Sequence, residues 1–166
     1  MNIKNAYFAG GCFWCIASYI DNLPGVKEVV CGYSGGNTEN PTYEEVKSQK
    51  TFHRECIKIV YDEDLISYKE LLKVFLESVD PFDGSGQFID RGYSYTLAVY
   101  YNNELEKEEA IVLIKEIETK ANAKVYISIE KFDKFYEAEE YHQNFHIKNR
   151  EAFEEEMEKS GRKKKM

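Results

Sequence analysis

Hydrophobic positions along most of the chain switch between alternating, strand-like spacing and three- or four-residue, helix-like spacing. Clusters of Gly, Pro and Asp separate these segments, as is typical of short elements joined by turns. The pattern predicts five strands and four helices. In order, they are a strand at 5–9, a helix at 12–22, a strand at 26–32, a short helix ending near 48, a strand at 55–61, a helix after Ser67, a strand at 95–101, a helix after Asn103 and a strand at 125–129.

The last predicted helix has both a start signal and an apolar stripe. Asn103 is followed three residues later by Glu106, a pattern typical of a capped helix N-terminus. We expect Ile111, Ile114 and Ile117 to form the buried stripe of this helix.

The element order predicts the fold class. Without the short helix, the first six elements run strand, helix, strand, strand, helix, strand, which is the order of a ferredoxin-like split βαβ unit. We expect an α+β sandwich with a largely antiparallel mixed sheet, to which a helix and a strand are appended. Residues 1–150 would form a single catalytic domain. Residues 151–166, where Glu and then Lys dominate, are expected to form a flexible charged tail.

Composition narrows the functional class. The 166 residues are 43% hydrophobic with only 10 Gly and 3 Pro, which excludes collagen-like and disordered chains. A net charge of -8 disfavours nucleic acids and anionic lipids as partners. No apolar run approaches the roughly 20 residues needed to cross a bilayer, and the N-terminus leads into no signal-peptide core. We expect a cytoplasmic monomer.

The 4 cysteines lie in the first third of the chain, which suggests redox or metal chemistry rather than a disulfide scaffold. Cys12 and Cys15 form a C-x-x-C pair at a predicted helix start. The helix dipole there can lower a thiol pKa from about 8.5 by one unit or more, so Cys12 is expected to be a reactive thiolate. Helical spacing places Cys15 on the same face, within reach of a disulfide. Two buried, inert cysteines are the alternative.

Two further interpretations of the cysteine pair belong to other functional classes. His142 and His146 have zinc-like spacing, so a metal-binding module is conceivable, but compact zinc sites separate the two pairs by about a dozen residues, whereas here they lie at opposite ends of the chain. A thioredoxin-like disulfide oxidoreductase would also use C-x-x-C at a helix start, and it would need neither Glu55 nor Tyr43.

The segment Gly11-Cys12-Phe13-Trp14 begins a longer resemblance. Over roughly residues 5–146, the chain resembles the peptide methionine sulfoxide reductases of the A type. Agreement at many separated points is more specific than any single motif. The other matching segments are Leu23-Pro24-Gly25-Val26, Gly32-Tyr33-Ser34-Gly35-Gly36, Asn40-Pro41-Thr42-Tyr43, His53-x-Glu55, Ile66-Ser67-Tyr68, Asp80-Pro81, Asp90-x-Gly92 and Tyr141-His142-Gln143.

The resemblance implies a reaction that agrees with what the chemistry needs. Reduction of a sulfoxide requires a nucleophile at sulfur and a proton donor at oxygen, because an unprotonated sulfoxide oxygen is a poor leaving group. By resemblance, Cys12 is the nucleophile and Glu55 the acid. A carboxyl group among aromatic rings would have a raised pKa and would stay protonated long enough to donate.

The remaining expected site residues also follow from the resemblance. Tyr43 and Tyr95 match the phenols that hold the sulfoxide oxygen, and Asp90 matches a supporting polar residue. Phe13 and Trp14 match the apolar wall that receives the S-methyl group. The family also implies selectivity for the S epimer, whereas the preference for free or peptide-bound substrate stays open.

Catalysis would leave a sulfenic acid on Cys12, which a second thiol converts to a disulfide. Many relatives carry Gly at position 15 and resolve with a cysteine near the C-terminus, which this chain lacks. Cys15 is therefore the expected resolving residue, with Cys31 as the alternative. Cys56 should face away from the site if its neighbour Glu55 faces into it. Thioredoxin would reduce the disulfide, and no cofactor is implied.

The sequence departs from the family pattern beside one of these residues. Ser94 and Thr96 flank Tyr95 where relatives commonly have Gln and Arg.

Overall fold

The computed structural model describes residues 1–160. A six-stranded sheet, a two-stranded hairpin and helices of 4 to 18 residues make up this part of the chain. The strands are β1 (Ile3–Gly10), β2 (Val26–Ser34), β3 (Arg54–Asp62), β4 (Gly86–Gln87), β5 (Asp90–Arg91), β6 (Leu97–Tyr101), β7 (Ile127–Lys131) and β8 (Phe135–Glu137). The helices are α1 (Phe13–Ile20), α2 (Tyr43–Lys47), α3 (Tyr68–Glu77), α4 (Glu104–Ala121), α5 (Phe145–Lys148) and α6 (Arg150–Ser160), with short 3-10 turns at Tyr93–Tyr95 and Glu140–His142.

The large sheet has the strand order β7-β6-β1-β3-β2-β8. Its pairings are antiparallel except between β6 and β7, which run parallel. The predicted α+β architecture with a largely antiparallel mixed sheet is therefore confirmed. The four strands of the predicted split βαβ unit lie side by side in the order β6-β1-β3-β2.

The main core lies between the sheet and helices α1, α3 and α4. Phe8 of β1 stacks on Phe75 of α3 with ring centroids 4.8 Å apart. A Cβ atom at Gly10 would lie 2.8 Å from side-chain atoms of both Ile16 and Phe75. Glycine at the end of β1 therefore allows α1 to pack closely against the strand that precedes it.

The opposite face of the sheet carries a second apolar cluster that includes Tyr7, Cys56 and Tyr100. Phe132 covers it and stacks on Tyr7 with ring centroids 3.8 Å apart. Cys56 thus faces away from its neighbour Glu55, as strand alternation predicts.

The buried stripe of α4 differs from the predicted one. Ala110, Leu113 and Ile114 are buried, whereas Ile111 is 43% exposed. Residues three positions apart on an α-helix are separated by about 300° around its axis, so a repeat of three drifts by about 60° at each step. Ile111 therefore lies to one side of the helix face that meets the sheet.

The C-terminal segment also differs from the prediction. Residues 150–160, expected largely as a flexible tail, form α6, and its Phe153 and Met157 are buried. The rest of the predicted tail, residues 161–166, lies outside the described residues. Within residues 1–160, no helix is both long and apolar enough to span a membrane.

Candidate functional site

A glycine turn carries the chain from β1 to the start of α1. Gly11 has a φ of 86°, a left-handed conformation that favours glycine. Cys12 follows as the N-cap residue, and its carbonyl oxygen accepts hydrogen bonds from the backbone amides of Cys15 (3.1 Å) and Ile16 (3.2 Å). The predicted placement of Cys12 at a helix N-terminus is therefore confirmed.

The thiols of Cys12 and Cys15 are hydrogen-bonded to each other and both are buried. The pKa of Cys12 lies well above its ordinary value, first because of the bond with Cys15 and then because of burial and the nearby carboxyl groups of Glu55 and Asp90. The expected lowering of this pKa by the helix dipole is wrong for this state, because these effects outweigh the dipole. Cys12 rests as a neutral thiol.

Glu55 extends from β3 toward the start of α1. Its Oε1 atom accepts a 3.1 Å hydrogen bond from the backbone amide of Phe13, and the Tyr95 hydroxyl also bonds to this carboxyl group. Burial raises the pKa of Glu55 to about 8, and the charges of Asp90 and Cys15 add to the rise while the two hydrogen bonds oppose it. Glu55 is therefore mostly protonated at neutral pH.

Tyr43 is the first residue of α2. Thr42 caps this helix in a complete capping box with Glu45, which fixes the backbone at Tyr43. The hydroxyl groups of Tyr43 and Tyr95 are hydrogen-bonded to each other. Burial raises the pKa of Tyr43 to about 12 and raises that of Tyr95 as well, so both phenols remain protonated and can donate hydrogen bonds.

Asp90 lies on the two-residue strand β5. Its charge contributes to the raised pKa values of Cys12, Glu55, Tyr43 and Tyr95. The structure thus places the predicted polar site residues in one electrostatically connected group.

Aromatic rings form the apolar side of the site. Phe13 is buried, with its ring centroid 6.2 Å from that of Trp14 and 5.9 Å from that of Tyr33. Trp14 stacks on Phe145 of α5 with centroids 4.0 Å apart. The two predicted wall residues therefore belong to a larger aromatic cluster that includes the C-terminal third of the chain.

Two residues near the C-terminus join the site without having been assigned a role from the sequence. Glu139 accepts a 2.9 Å hydrogen bond from the Tyr33 hydroxyl and another of 2.9 Å from the backbone amide of Tyr43. His142 is 1% exposed and its ring lies 4.5 Å from that of Tyr43 and 5.2 Å from that of Phe13. Burial lowers the pKa of His142, which favours the neutral ring. The sequence signals for His142 were the matching Tyr141-His142-Gln143 segment and the zinc-like spacing to His146.

Gln143 fixes the strand that carries Cys31. Its Oε1 atom accepts a hydrogen bond from the Cys31 amide and its Nε2 atom donates one to the Cys31 carbonyl, each 2.9 Å long. The Cys31 thiol is buried, and burial raises its pKa far above the ordinary value. Cys31 is therefore a poorer nucleophile at neutral pH than a solvated thiol.

Helix α6 covers the two cysteines. Phe153 and Met157 pack with Cys12 and Cys15 in one apolar cluster. Cys12 is consequently only 6% exposed.

The C-x-x-C pair and the two histidines do not form a metal centre. His146 instead pairs with the Asp21 carboxylate through its Nε2 atom. Across residues 1–160, no three His, Cys, Asp or Glu side chains are grouped as a metal site would require.

The site combines a buried thiol, a second thiol that is hydrogen-bonded to it, a protonated carboxyl group and two phenol groups that can donate hydrogen bonds. Comparison with known proteins identifies the matching family, since the family model for peptide methionine sulfoxide reductase matches residues 4–166. The chain belongs to this family. It is an enzyme that reduces methionine sulfoxide. Family membership decides against the thioredoxin-like disulfide oxidoreductase.

Several peptide methionine sulfoxide reductases are similar to this chain over most of its length. The enzyme named MsrA of Bacillus velezensis is 48% identical over 146 residues, covering 87% of this chain and 82% of the relative. That of Bacillus subtilis is 45% identical over 159 residues, covering 95% and 90%.

Solved structures agree with this membership. Methionine sulfoxide reductase A of Corynebacterium diphtheriae gives a TM-score of 0.82 at 27% identity, covering 90% of this chain and 76% of that chain. Mxr1 from Saccharomyces cerevisiae in reduced form gives 0.82 at 26% identity, covering 90% and 87%. Mxr1 in complex with Trx2 shares the fold, with a TM-score of 0.58 at 18% identity, covering 87% and 85%.

Proposed function

We propose that the enzyme reduces the S epimer of methionine sulfoxide by attack of Cys12, with Glu55 as proton donor and Cys15 as resolving thiol. The observation that carries this assignment is that Glu55, whose pKa is about 8, accepts a hydrogen bond from the backbone amide directly after Cys12, whose thiol is hydrogen-bonded to that of Cys15. Such a carboxyl group holds a proton at neutral pH next to a nucleophile.

In the first step, the Cys12 sulfur attacks the sulfoxide sulfur and Glu55 gives its proton to the sulfoxide oxygen. The sulfoxide S–O bond breaks and the oxygen leaves as water, which takes up the Glu55 proton and the Cys12 thiol proton, while an S–S bond joins Cys12 to the substrate sulfur. This water then attacks the Cys12 sulfur and returns a proton to Glu55; the S–S bond breaks, methionine leaves as a thioether, and Cys12 becomes a sulfenic acid. Cys12 is oxidised by two electrons and the substrate is reduced by two. A bound sulfoxide carries positive charge on sulfur, which favours the thiolate over the resting thiol.

The substrate would lie between the polar and the aromatic sides of the site. The Tyr43 and Tyr95 hydroxyls would donate to the sulfoxide oxygen together with Glu55; the hydrogen bonds of Tyr95 with Tyr43 and with Glu55 support this role. Phe13 and Trp14 would receive the S-methyl group, and Asp90 would support the polar group. Selectivity between epimers would then come from the shape of the pocket that these groups form.

Cys15 is the resolving residue in this proposal because its thiol is already within hydrogen-bonding distance of the Cys12 thiol. Attack of Cys15 on the sulfenic acid forms the disulfide and releases water. Thioredoxin would reduce this disulfide by thiol–disulfide exchange. Yeast Mxr1, whose structure this chain resembles, forms a complex with Trx2.

The test is reduction of separated S and R epimers of a blocked methionine sulfoxide by dithiothreitol, with wild type, Cys12→Ser and Cys56→Ser compared. We expect turnover of the S epimer alone, its loss in Cys12→Ser, and its retention in Cys56→Ser because Cys56 lies on the other face of the sheet. Turnover by Cys12→Ser, or equal turnover of the R epimer, would refute the proposal.

We further propose that strands β6, β1, β3 and β2 with their helices form a ferredoxin-like unit, and their order supports this classification. Residues 1–150 would form the catalytic domain, with α6 packed on it. We also propose that the enzyme acts as a monomer. A thiol pair that must be reduced in each cycle supports a cytoplasmic location.

A further inference from the structure

Strand β3 directs two neighbouring side chains to opposite faces of the sheet. Glu55 faces the site, whereas Arg54 is buried on the other face at 6% exposure. The Arg54 Nε atom donates a 2.8 Å hydrogen bond to the Thr96 hydroxyl. One terminal nitrogen donates to the Tyr100 hydroxyl (3.1 Å) and pairs with the Glu130 carboxylate (2.7 Å).

The same guanidinium group also holds the turn that contains Tyr95. Its central carbon lies 4.7 Å from the centroid of the Tyr93 ring, a cation–π contact. Arg54 therefore contacts Tyr93 and Thr96, the residues that begin and immediately follow the 3-10 turn at Tyr93–Tyr95.

Gln49 holds the middle of this turn from another direction. Its Oε1 atom accepts a 2.8 Å hydrogen bond from the Ser94 amide, and its Nε2 atom donates a 2.9 Å bond to the Ser94 hydroxyl. Ser94 and Thr96, the two residues that flank Tyr95, are thus both bonded by side chains from other segments.

The turn has little regular structure of its own to fix it. Its backbone hydrogen bonds are those from Tyr95 to Gly92 (3.0 Å) and from Thr96 to Tyr93 (3.0 Å). A single 3-10 turn has weak hydrogen-bond geometry, so contacts with other elements largely determine its position.

We propose that Arg54 is a positioning residue that holds the Tyr95 hydroxyl against Glu55 by fixing the turn on both sides of Tyr95. Thr96, which accepts the hydrogen bond from Arg54 Nε, directly follows Tyr95 in the chain. This inference rests on the proposed roles of Tyr95 and Glu55.

The first test is Arg54→Met, which keeps an unbranched apolar stem and removes the guanidinium group. We expect kcat for the S epimer to fall about tenfold or more with KM little changed, because a small displacement of a catalytic donor is costly. The Tyr95 hydroxyl bond lowers the pKa of Glu55, so its loss should move that pKa upward. Carbon-13 NMR of labelled glutamate follows this pKa, with the Glu55 signal assigned by its absence in Glu55→Gln.

The decisive test is the double variant Arg54→Val with Thr96→Arg. The Thr96 side chain already points at the Arg54 guanidinium, so an arginine there can occupy the vacated space near Glu130 and Tyr100. We expect the double variant to recover kcat and the wild-type pKa of Glu55. The matched control is Ile59→Val, a buried position on the same strand, which should lower stability without moving either quantity.

An Arg54→Met variant with unchanged kcat per folded molecule and an unchanged Glu55 pKa would overturn the proposal, as would a double variant that recovers neither. If Arg54→Met does not fold, Thr96→Val removes one of the same bonds and should shift both readouts in the same direction by less. A wild-type Glu55 that titrates at the ordinary glutamate value would instead refute the role of Glu55, and the kcat comparison would still decide that of Arg54.

Discussion

The carboxyl group of Glu55 and the backbone amide of Phe13 are joined by a 3.1 Å hydrogen bond. Phe13 follows Cys12 directly, so this bond links the proposed acid to the start of the helix that carries the proposed nucleophile. The Glu55 carboxyl group is therefore held directly by the backbone next to Cys12, and its position relative to the thiol does not depend on a contact between two flexible side chains.

Substitution of Glu55 by Gln should abolish efficient turnover while leaving the site nearly unchanged in shape. Glutamine can accept the Phe13 hydrogen bond but cannot give up a proton to the sulfoxide oxygen. We expect kcat to fall by about 10²- to 10⁴-fold, the usual contribution of general acid catalysis. Glu63→Gln, near the end of β3, is the control and should keep wild-type turnover. Comparable activity of Glu55→Gln would exclude Glu55 as the proton donor.

The raised pKa of Glu55 should make the folded protein less stable at higher pH. Its pKa in the folded state is about 8, against 4.5 for an ordinary glutamate, so the folded state binds the extra proton between these values. The contribution of Glu55 to stability is fully present below pH 4.5 and is lost as the pH rises through about 8.

Denaturant titrations of wild type and Glu55→Gln measure this loss. The stability of wild type relative to the variant should fall across that range by at most about 5 kcal/mol, at about 1.4 kcal/mol per pKa unit. Other titrating groups are common to both proteins and cancel in the difference. A difference in unfolding free energy that is independent of pH would contradict the raised pKa.

Replacement of Cys15 by Ser should separate the two halves of the catalytic cycle. The first turnover of reduced enzyme should persist, because Cys12 and Glu55 remain, whereas thioredoxin-driven turnover should be lost with the disulfide. Quenched single-turnover and steady-state assays distinguish the two. Cys31→Ser, which removes another buried thiol, is the matched control and should sustain steady turnover. If Cys31→Ser is the variant that stalls, Cys31 is the resolving residue.

Shortening the side chains that cover the cysteine pair should expose it. Met157→Ala removes buried contacts with the cluster of Cys12 and Cys15, and such truncations cost about 2 to 5 kcal/mol in a core. A loss of about 2 kcal/mol in the local opening free energy raises the open population more than tenfold. The rate of thiol modification by a chromogenic disulfide should rise accordingly. Ile147→Ala, at an exposed position of α5, should leave that rate unchanged. Equal modification rates in wild type, Met157→Ala and Ile147→Ala would show that the thiols become accessible by a motion that does not involve α6.

Most strands and helices could be predicted because residue spacing and helix-capping residues are properties of short sequence segments. A β-branched run located β2, alternation of side chains located β6, and the capping-box pattern of Ser67 and Glu70 located α3. The three-residue strand β8 is too short for alternation to detect. Helix α6 has buried apolar residues only at Phe153 and Met157 within a run of charged residues, so its core contact could not be distinguished from a solvated tail.

The proximity of Glu55 to the helix start at Cys12 and the raised pKa of Glu55 could be predicted, whereas the raised pKa of Cys12 could not. The C-x-x-C position placed Cys12 at a helix start, and the resemblance brought Glu55 to it. The direction of the Cys12 pKa shift depends on burial and on carboxyl groups from distant segments, which no local pattern contains. The same holds for His142, whose burial results from packing of the C-terminal third against α1 and α2.

The hydrogen bonds between Gln143 and Cys31 also affect the edge of strand β2. Its amide offers one donor and one acceptor to the Cys31 backbone, as a residue of a neighbouring strand would. Strand β8 pairs with β2 only from Gly32 to Ser34, and beyond it the Ala138 amide and the Gln143 side chain together supply the hydrogen-bond partners of the Cys31 backbone. An exposed strand edge is a template for pairing with other chains. Because both backbone groups of Cys31 are already hydrogen-bonded within the chain, an added strand cannot pair with β2 at this residue.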